Sequence, residues 1–185
     1  MLKIGKNVRI TKGCTILTHD YSWSVLVGVY GDCLGGVGPV VIGNNVFIGM
    51  HSIILKGTTI GNNVIIGAGS VVNGKVESNS VYAGVPAKRI MSLEDYYRKK
   101  KENYEQEART IVNMYKDANG SLPDESVLKE YFWLYAERND DIDEEYKGLM
   151  RRTGYFDSCK KAFRHSNPIY DGFDSLVRSL GDKID

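Results

Sequence analysis

A mainly β fold, a triangular coil of short parallel strands followed by an α-helical extension, is what the sequence predicts. Two observations predict it. An aliphatic residue returns every six positions from Ile42 to Val72, and the composition changes sharply near residue 91. Met1 to Met91 holds 15 of the 20 glycines, 5 of the 19 aromatic residues and a net charge of +5. Ser92 to Asp185 holds the other 14 aromatic residues and a net charge of −4. The expected domains are a β domain over 1–91, with an inserted loop at 22–39, and a helical extension over 92–185.

The repeat runs Ile42, Ile48, Ile54, Ile60, Ile66, Val72, and four positions after each comes a residue of modest size: Val46, Ser52, Thr58, Val64, Ser70, Val76. A period of six matches neither a helix (3.6) nor a simple strand (2.0). It suits a prism in which each side takes six residues, the aliphatic residue points inward, and three sides complete a coil. Stacked coils then lie about 4.8 Å apart, the spacing of paired strands. Asn44-Asn45, Asn62-Asn63 and Lys56-Gly57 fall at the corners, where a left-handed backbone suits Asn and Gly. The same register appears earlier in Ile4, Ile10 and Ile16, with Val8 and Cys14 at the modest-size position. By this count Ile4–Tyr21 is about one coil and Ile42–Glu77 about two.

Helical periodicity begins at Ser92-Leu93-Glu94-Asp95, which reads as a capping box. Leu93, Tyr97, Tyr104, Ala108, Ile111 and Tyr115 keep one face, and Asn119-Gly120 stops the helix. Shorter helices are expected near 124–138, 143–152, 155–164 and 172–180. The aromatic run Tyr131 to Tyr135 reads as helix packing, and Lys99-Lys100-Lys101 as solvated charge.

Charge and composition narrow the function. The basic residues of the first half are scattered, which argues against nucleic acid as a partner. The apolar stretches fall short of the ~18 residues of a membrane span, and a secretory pattern is lacking at the N-terminus, so a cytoplasmic location is expected. Cys14, Cys33 and Cys159 lack metal-ligand spacing and are odd in number, so reduced thiols and no metal are expected.

The residue that stands out is His19. It lies in the third hexad where the repeat fails, just before an excursion from Ser22 to Pro39. A loop leaving a rigid coil is a common way to form a pocket on a scaffold. Asp20 adjoins it, but consecutive side chains on a strand face opposite sides. His51, at a corner, and His165, in the helical half, read as structural.

The hexads, the segment Ile66 to Val72 and the terminator Ala83-Gly84-Val85-Pro86-Ala87-Lys88 resemble the hexapeptide-repeat acyltransferases, whose fold is a left-handed parallel β-helix. The resemblance covers residues 2–91 and is nearest to the galactoside, maltose and capsular-polysaccharide O-acetyltransferases. The segment Thr18-His19-Asp20-Tyr21-Ser22-Trp23-Ser24 looks most like the polysaccharide branch. It implies an acetyl-CoA-dependent O-acetyltransferase acting on a sugar or polysaccharide precursor, with His19 as general base, in a homotrimer with the cofactor groove between subunits. Carried over by position, Met50, Ala68, Asn73, Gly74 and Lys88 bind the cofactor. The excursion itself, with its Gly-rich return at Gly35 to Gly38, is expected to close over the acceptor, with Trp23 or Tyr30 against the sugar. Gly74 stands where relatives commonly have Lys, and Met91 where they can have Arg, with Arg89 available to replace that charge. Phe47 takes the place of a frequent Trp.

Other classes compete with this reading. A zinc carbonic anhydrase on the same solenoid needs three convergent histidines, and only His19 and His51 lie in the repeats. A serine acetyltransferase has its histidine where this chain has Gly38-Pro39. A xenobiotic (antibiotic) acetyltransferase is the runner-up, and a non-catalytic scaffold is the alternative from another class.

Overall fold

Each hexad forms one side of a three-sided prism. The first coil is β1 (Leu2–Ile4), β2 (Val8–Ile10) and β3 (Thr15–Ile16). The chain then leaves the prism through β4 (His19–Asp20), α1 (Trp23–Tyr30) and β5 (Gly36–Val37). It resumes with β6 (Val40–Ile42), β7 (Val46–Ile48) and β8 (Ile53–Ile54), and then β9 (Thr59–Ile60), β10 (Val64–Ile66) and β11 (Val71–Val72). Two sides of a further coil follow, β12 (Lys75–Val76) and β13 (Ser80–Ala83), before β14 (Lys88–Ser92) turns back antiparallel on β13.

Three sheets run along the prism, in the orders β1-β6-β9-β12, β2-β7-β10-β13-β14 and β3-β8-β11. Their pairing is parallel between coils. Val46 pairs with Val64 and Ile53 with Val71, an offset of 18 residues, or three hexads. Leu2 pairs with Val40, an offset of 38, because the excursion intervenes. Thr59 pairs with Lys75, an offset of 16, because the corner at Asn73-Gly74 is two residues shorter than the one below it. The fold is thus the parallel β-helix expected, in a computed structural model that describes residues 1–139 and 142–181.

Both inward positions of the repeat are buried. Ile42, Ile48, Ile54, Ile60, Ile66 and Val72 are at most 1% exposed, and Val46, Ser52, Thr58, Val64, Ser70 and Val76 at most 2%. Buried hydroxyls need partners, and the corners supply them. Ser52 Oγ lies 2.8 Å from the Gly49 carbonyl and 3.0 Å from that of Gly67, Ser70 Oγ donates to Gly67 (2.6 Å), and Thr58 Oγ1 to Val72 (3.3 Å). Cys14 takes the same role below them, its thiol 3.1 Å from the Gly49 carbonyl. Ile4 and Ile10 keep the register but are exposed, because β1 and β2 are the outer strands of their sheets.

One corner is a column of asparagines. Asn7, Asn45, Asn63 and Asn79 all hold φ between 54° and 56°, the left-handed region that Asn tolerates better than most residues. Their neighbours Asn44 and Asn62 link the coils as well, with the Asn62 side chain accepting from the Asn44 backbone N–H at 2.7 Å. The expected corners at Asn45, Asn63 and Gly57 are therefore all observed with positive φ.

The chain divides into two compact units, Met1–Arg98 and Lys99–Asp185. The division lies a few residues beyond the change of composition at 91, because α2 (Leu93–Asn119) starts at the end of β14. Ser92 caps it, accepting from the Asp95 N–H at 3.0 Å. In the second unit the segment expected as a helix at 124–138 is a 3₁₀ helix (Glu125–Leu134), kinked at Leu128. It is followed by α3 (Glu144–Arg151), α4 (Phe156–Arg164) and α5 (Gly172–Gly181), close to the expected bounds. Their core joins Ala108, Val112, Leu128, Phe132, Met150, Phe163, Leu176 and Leu180. The aromatic run packs as expected: Phe132 stacks on Tyr146 (4.5 Å) and Trp133 meets Phe163 edge-on (5.0 Å). Burial pushes the Tyr135 and Tyr146 hydroxyls well above the usual phenol range.

Candidate active site

His19 stands at the corner where the first coil opens. The preceding β3 is held on β8, and the Leu17 N–H donates to the Ile54 carbonyl at 2.9 Å, so Thr18 and His19 lie under the Lys56-Gly57 corner of the next coil. Here the chain cannot follow the prism, because the excursion begins. It returns alongside itself: β5 pairs antiparallel with β4, His19 opposite Val37 and Asp20 opposite Gly36, and the Gly38 N–H donates to the Thr18 carbonyl at 2.9 Å. The imidazole-bearing residue is exposed, while Asp20 is half-buried.

Asp20 is engaged by Ser22 and Lys56. One carboxylate oxygen accepts from the Ser22 hydroxyl (2.6 Å) and N–H (3.1 Å), and the other pairs with the Lys56 ammonium. The hydrogen bond from Lys56, then those from Ser22, hold its carboxyl down at about 2. Lys56, read from sequence only as a corner residue, is thus a neighbour of the histidine strand. The signal that was available is its position one coil above Thr18.

The segment expected as a loop at 22–39 contains a helix. α1 runs Trp-Ser-Val-Leu-Val-Gly-Val-Tyr and ends at Gly31, whose φ is 79° and whose N–H donates to Val27. Its β-branched content concealed it, since valine is a weak helix former. None of its residues is buried. Trp23 and Tyr30 are its first and last residues; seven positions apart, they share one face about two turns apart. Trp23 also packs on Tyr21, with ring centroids 4.6 Å apart.

The residues expected at the cofactor flank a single side of the prism, the β3-β8-β11 face. Met50 and Ala68 stack at one corner of it, joined by the Gly69 N–H, which donates to the Met50 carbonyl at 2.8 Å. Asn73 and Gly74 form the other corner, the one that His19 occupies in the first coil. Gly74 has φ of 76°, which explains a glycine there. Above β11 the terminator folds across, with the Val71 N–H donating to Gly84 (3.0 Å) and the Ala87 N–H to Val71 (2.8 Å), and exposed Lys88 follows directly. Phe47 lies outward on β7, between Arg9 and Ile65 in register. All of these except Asn73 and Gly74 are on a different corner or strand from His19.

The other candidates fall away from this corner. His51 turns the corner over Gly13 with φ of 59°. Cys33 is exposed, and Cys14 and Cys159 are half-buried free thiols. Lys100 of the lysine run pairs with Glu107 at 2.8 Å. Among the described residues no cluster of His, Cys, Asp or Glu is placed to hold a metal, and no helix is long and apolar enough to cross a membrane.

Known proteins resemble this chain in sequence. The family described as bacterial transferase hexapeptide (six repeats) matches residues 39–74. Protein CapG of Staphylococcus aureus is 42% identical over 125 residues, covering 63% of this chain and 72% of CapG. The galactoside O-acetyltransferase of Escherichia coli (strain K12) is 49% identical over 57 residues, 31% of this chain and 28% of that protein. A solved galactoside acetyltransferase in complex with coenzyme A superposes with a TM-score of 0.46 and 37% identity, covering 52% of this chain and 48% of that one. The chain thus spans most of CapG but half or less of the galactoside enzymes. With the repeat, the prism and the CapG match agreeing, the chain belongs to the hexapeptide-repeat acyltransferase family.

Proposed function

We propose that this protein transfers an acetyl group from acetyl-CoA to a hydroxyl of a sugar or polysaccharide precursor, with His19 as the general base. The observation that carries the reading is the place of His19: exposed, at the corner where the coil opens into the excursion, and in line with the Asn73-Gly74 corner of a later coil. The galactoside O-acetyltransferase similarity supports transfer to a sugar oxygen.

An alcohol is a poor nucleophile at neutral pH until its proton is being removed, and histidine titrates in the right range for that task. The Nε2 or Nδ1 lone pair of neutral His19 takes the hydroxyl proton while the oxygen bonds to the acetyl carbonyl carbon. The carbon–sulfur bond then breaks, and the imidazolium returns its proton to the departing thiolate of CoA. No acetyl-enzyme intermediate is involved: Cys14 is turned into the prism toward the Gly49 carbonyl, and a ternary complex already places both reactants together. In this scheme Met50, Ala68, Asn73, Gly74 and Lys88 hold the cofactor, while Trp23 and Tyr30 present one face of α1 to the acceptor.

We place the working form as a homotrimer in the cytoplasm, each cofactor groove lying between subunits. The outward Phe47 and Met50, 40% and 45% exposed, support this as apolar surface open to a neighbour. The test is acetyl transfer from labelled acetyl-CoA to a panel of sugar nucleotides and capsule oligosaccharides, by wild type and His19→Ala. Transfer to none of them, with chloramphenicol or a streptogramin acetylated instead, would replace this reading with the xenobiotic one.

A further inference from the structure

Asp20 and Lys56 meet at the point where the excursion leaves the prism, and three facts make the meeting more than a surface ion pair. The first is position. Lys56 belongs to the rigid second coil, whereas Asp20 is on β4, the strand that has already left the first, so the pair ties the departing strand to the scaffold. The second is saturation. Both carboxylate oxygens are used, one by Lys56 and the other by the Ser22 hydroxyl at 2.6 Å and N–H at 3.1 Å. The third is the space cleared for it. A Cβ on Gly36, opposite Asp20 in the hairpin, would fall 2.6 Å from the Lys56 ammonium and 2.9 Å from the Asp20 carboxylate. The absence of a side chain at Gly36 leaves room for the pair.

His19 stands between two fixed points. On one side, the Thr18 carbonyl accepts from Gly38 at 2.9 Å; on the other, Asp20 is pinned. Successive side chains of a strand face opposite ways, so holding the Asp20 carboxylate against Lys56 directs the His19 imidazole to the other face. We propose that Asp20 and Lys56 are positioning residues, a clamp that sets the direction of the His19 imidazole at the base of the excursion. The inference rests on the assignment of His19 as the base. The lowered pKa of Asp20, caused first by the Lys56 hydrogen bond, keeps its carboxylate charged at neutral pH.

Both side chains are about one-third exposed, and exposed ion pairs contribute little to stability. A purely structural role would therefore leave activity and melting temperature nearly as they are. The clamp predicts a different pattern, because small misplacements of a reacting group cost up to about a hundredfold in rate. In the full chain, Asp20→Asn and Lys56→Met should each lower kcat by about ten- to a hundredfold. The KM for acetyl-CoA and the melting temperature should stay close to those of the parent. The double variant should be no slower than the slower single one, and Lys56→Arg should recover most of the rate. The backbone order parameter of His19, measured by NMR, should fall in Asp20→Asn and recover in Lys56→Arg.

His19→Ala runs in parallel. If it keeps the parent rate, the base assignment fails whatever the clamp variants do. If it is inactive while Asp20→Asn keeps the parent rate and an unchanged His19 order parameter, the clamp alone is overturned. Losses in the two single variants that multiply in the double variant, or a KM for acetyl-CoA that rises with them, overturn it as well.

Discussion

The side-chain amide of Asn45 donates to the side-chain oxygen of Asn63 at 2.9 Å, and the two residues hold φ of 55° and 56° one coil apart. Asn63 passes the contact on, donating to Asn79 at 2.9 Å. Asn63→Ala should lower stability by about 2 to 3 kcal/mol, combining the left-handed backbone cost of a Cβ without a local polar partner with the loss of side-chain hydrogen bonds. Asn63→Gly should cost less, since it removes only the second contribution. Urea denaturation of both variants measures the difference.

Ile54 is fully buried at the centre of the prism. Truncating it to alanine should destabilise by about 2 to 5 kcal/mol through lost transfer energy and the cavity left behind. The exposed Ile10, at the same repeat position on an outer strand, should cost much less. Equal losses at the two sites would contradict the burial gradient along the prism.

Loss of a positioned general base typically costs about 10² to 10⁴ in rate. His19→Ala is expected to lower kcat by that factor, with acetyl-CoA affinity by isothermal calorimetry nearly unchanged. Cys33→Ser should leave the rate as it is. Mass spectrometry of enzyme mixed with acetyl-CoA should show no acetylated chain.

The Asp20 carboxyl should titrate near 2 rather than at the 3.8 of a free aspartate. A depressed folded pKa means that its favourable contribution is complete above 3.8 and is lost as pH falls through about 2. A carboxyl-carbon NMR titration should place the midpoint near the lower value and, in Lys56→Met, move it back toward 3.8.

Multi-angle light scattering should give three times the 20.7 kDa chain mass. Phe47→Glu, on the outward face of β7, should shift the particle toward smaller species. A stable, fully active monomer would remove the shared cofactor groove from the proposal.

The prism was legible because its signal is periodic. Ile42 to Val72 and the small residues between them occupy the only two positions per side that point inward, and size alone reveals both. The asparagine corners were legible for a related reason: a left-handed backbone narrows the choice of residue. α1 was not legible. Its three valines argue for extended structure, and no repeat or buried face marks it as a helix. The 3₁₀ character of Glu125–Leu134 was hidden similarly, because an i, i+3 backbone with a kink at Leu128 leaves a hydrophobic pattern close to that of an α-helix. At the candidate site, His19 was visible as the residue where the repeat fails. Lys56 was not, because its partner lies 36 positions earlier and the pairing depends on where the excursion returns.

The excursion also has a consequence for how the coils close. To pair β1 with β6 the chain must bring together residues 38 apart, against 18 for β7 with β10. Closure entropy grows with the logarithm of that length, so the first coil pays about 0.7 kcal/mol more than its neighbour. That longer closure falls on the coil from which the excursion leaves, directly ahead of His19.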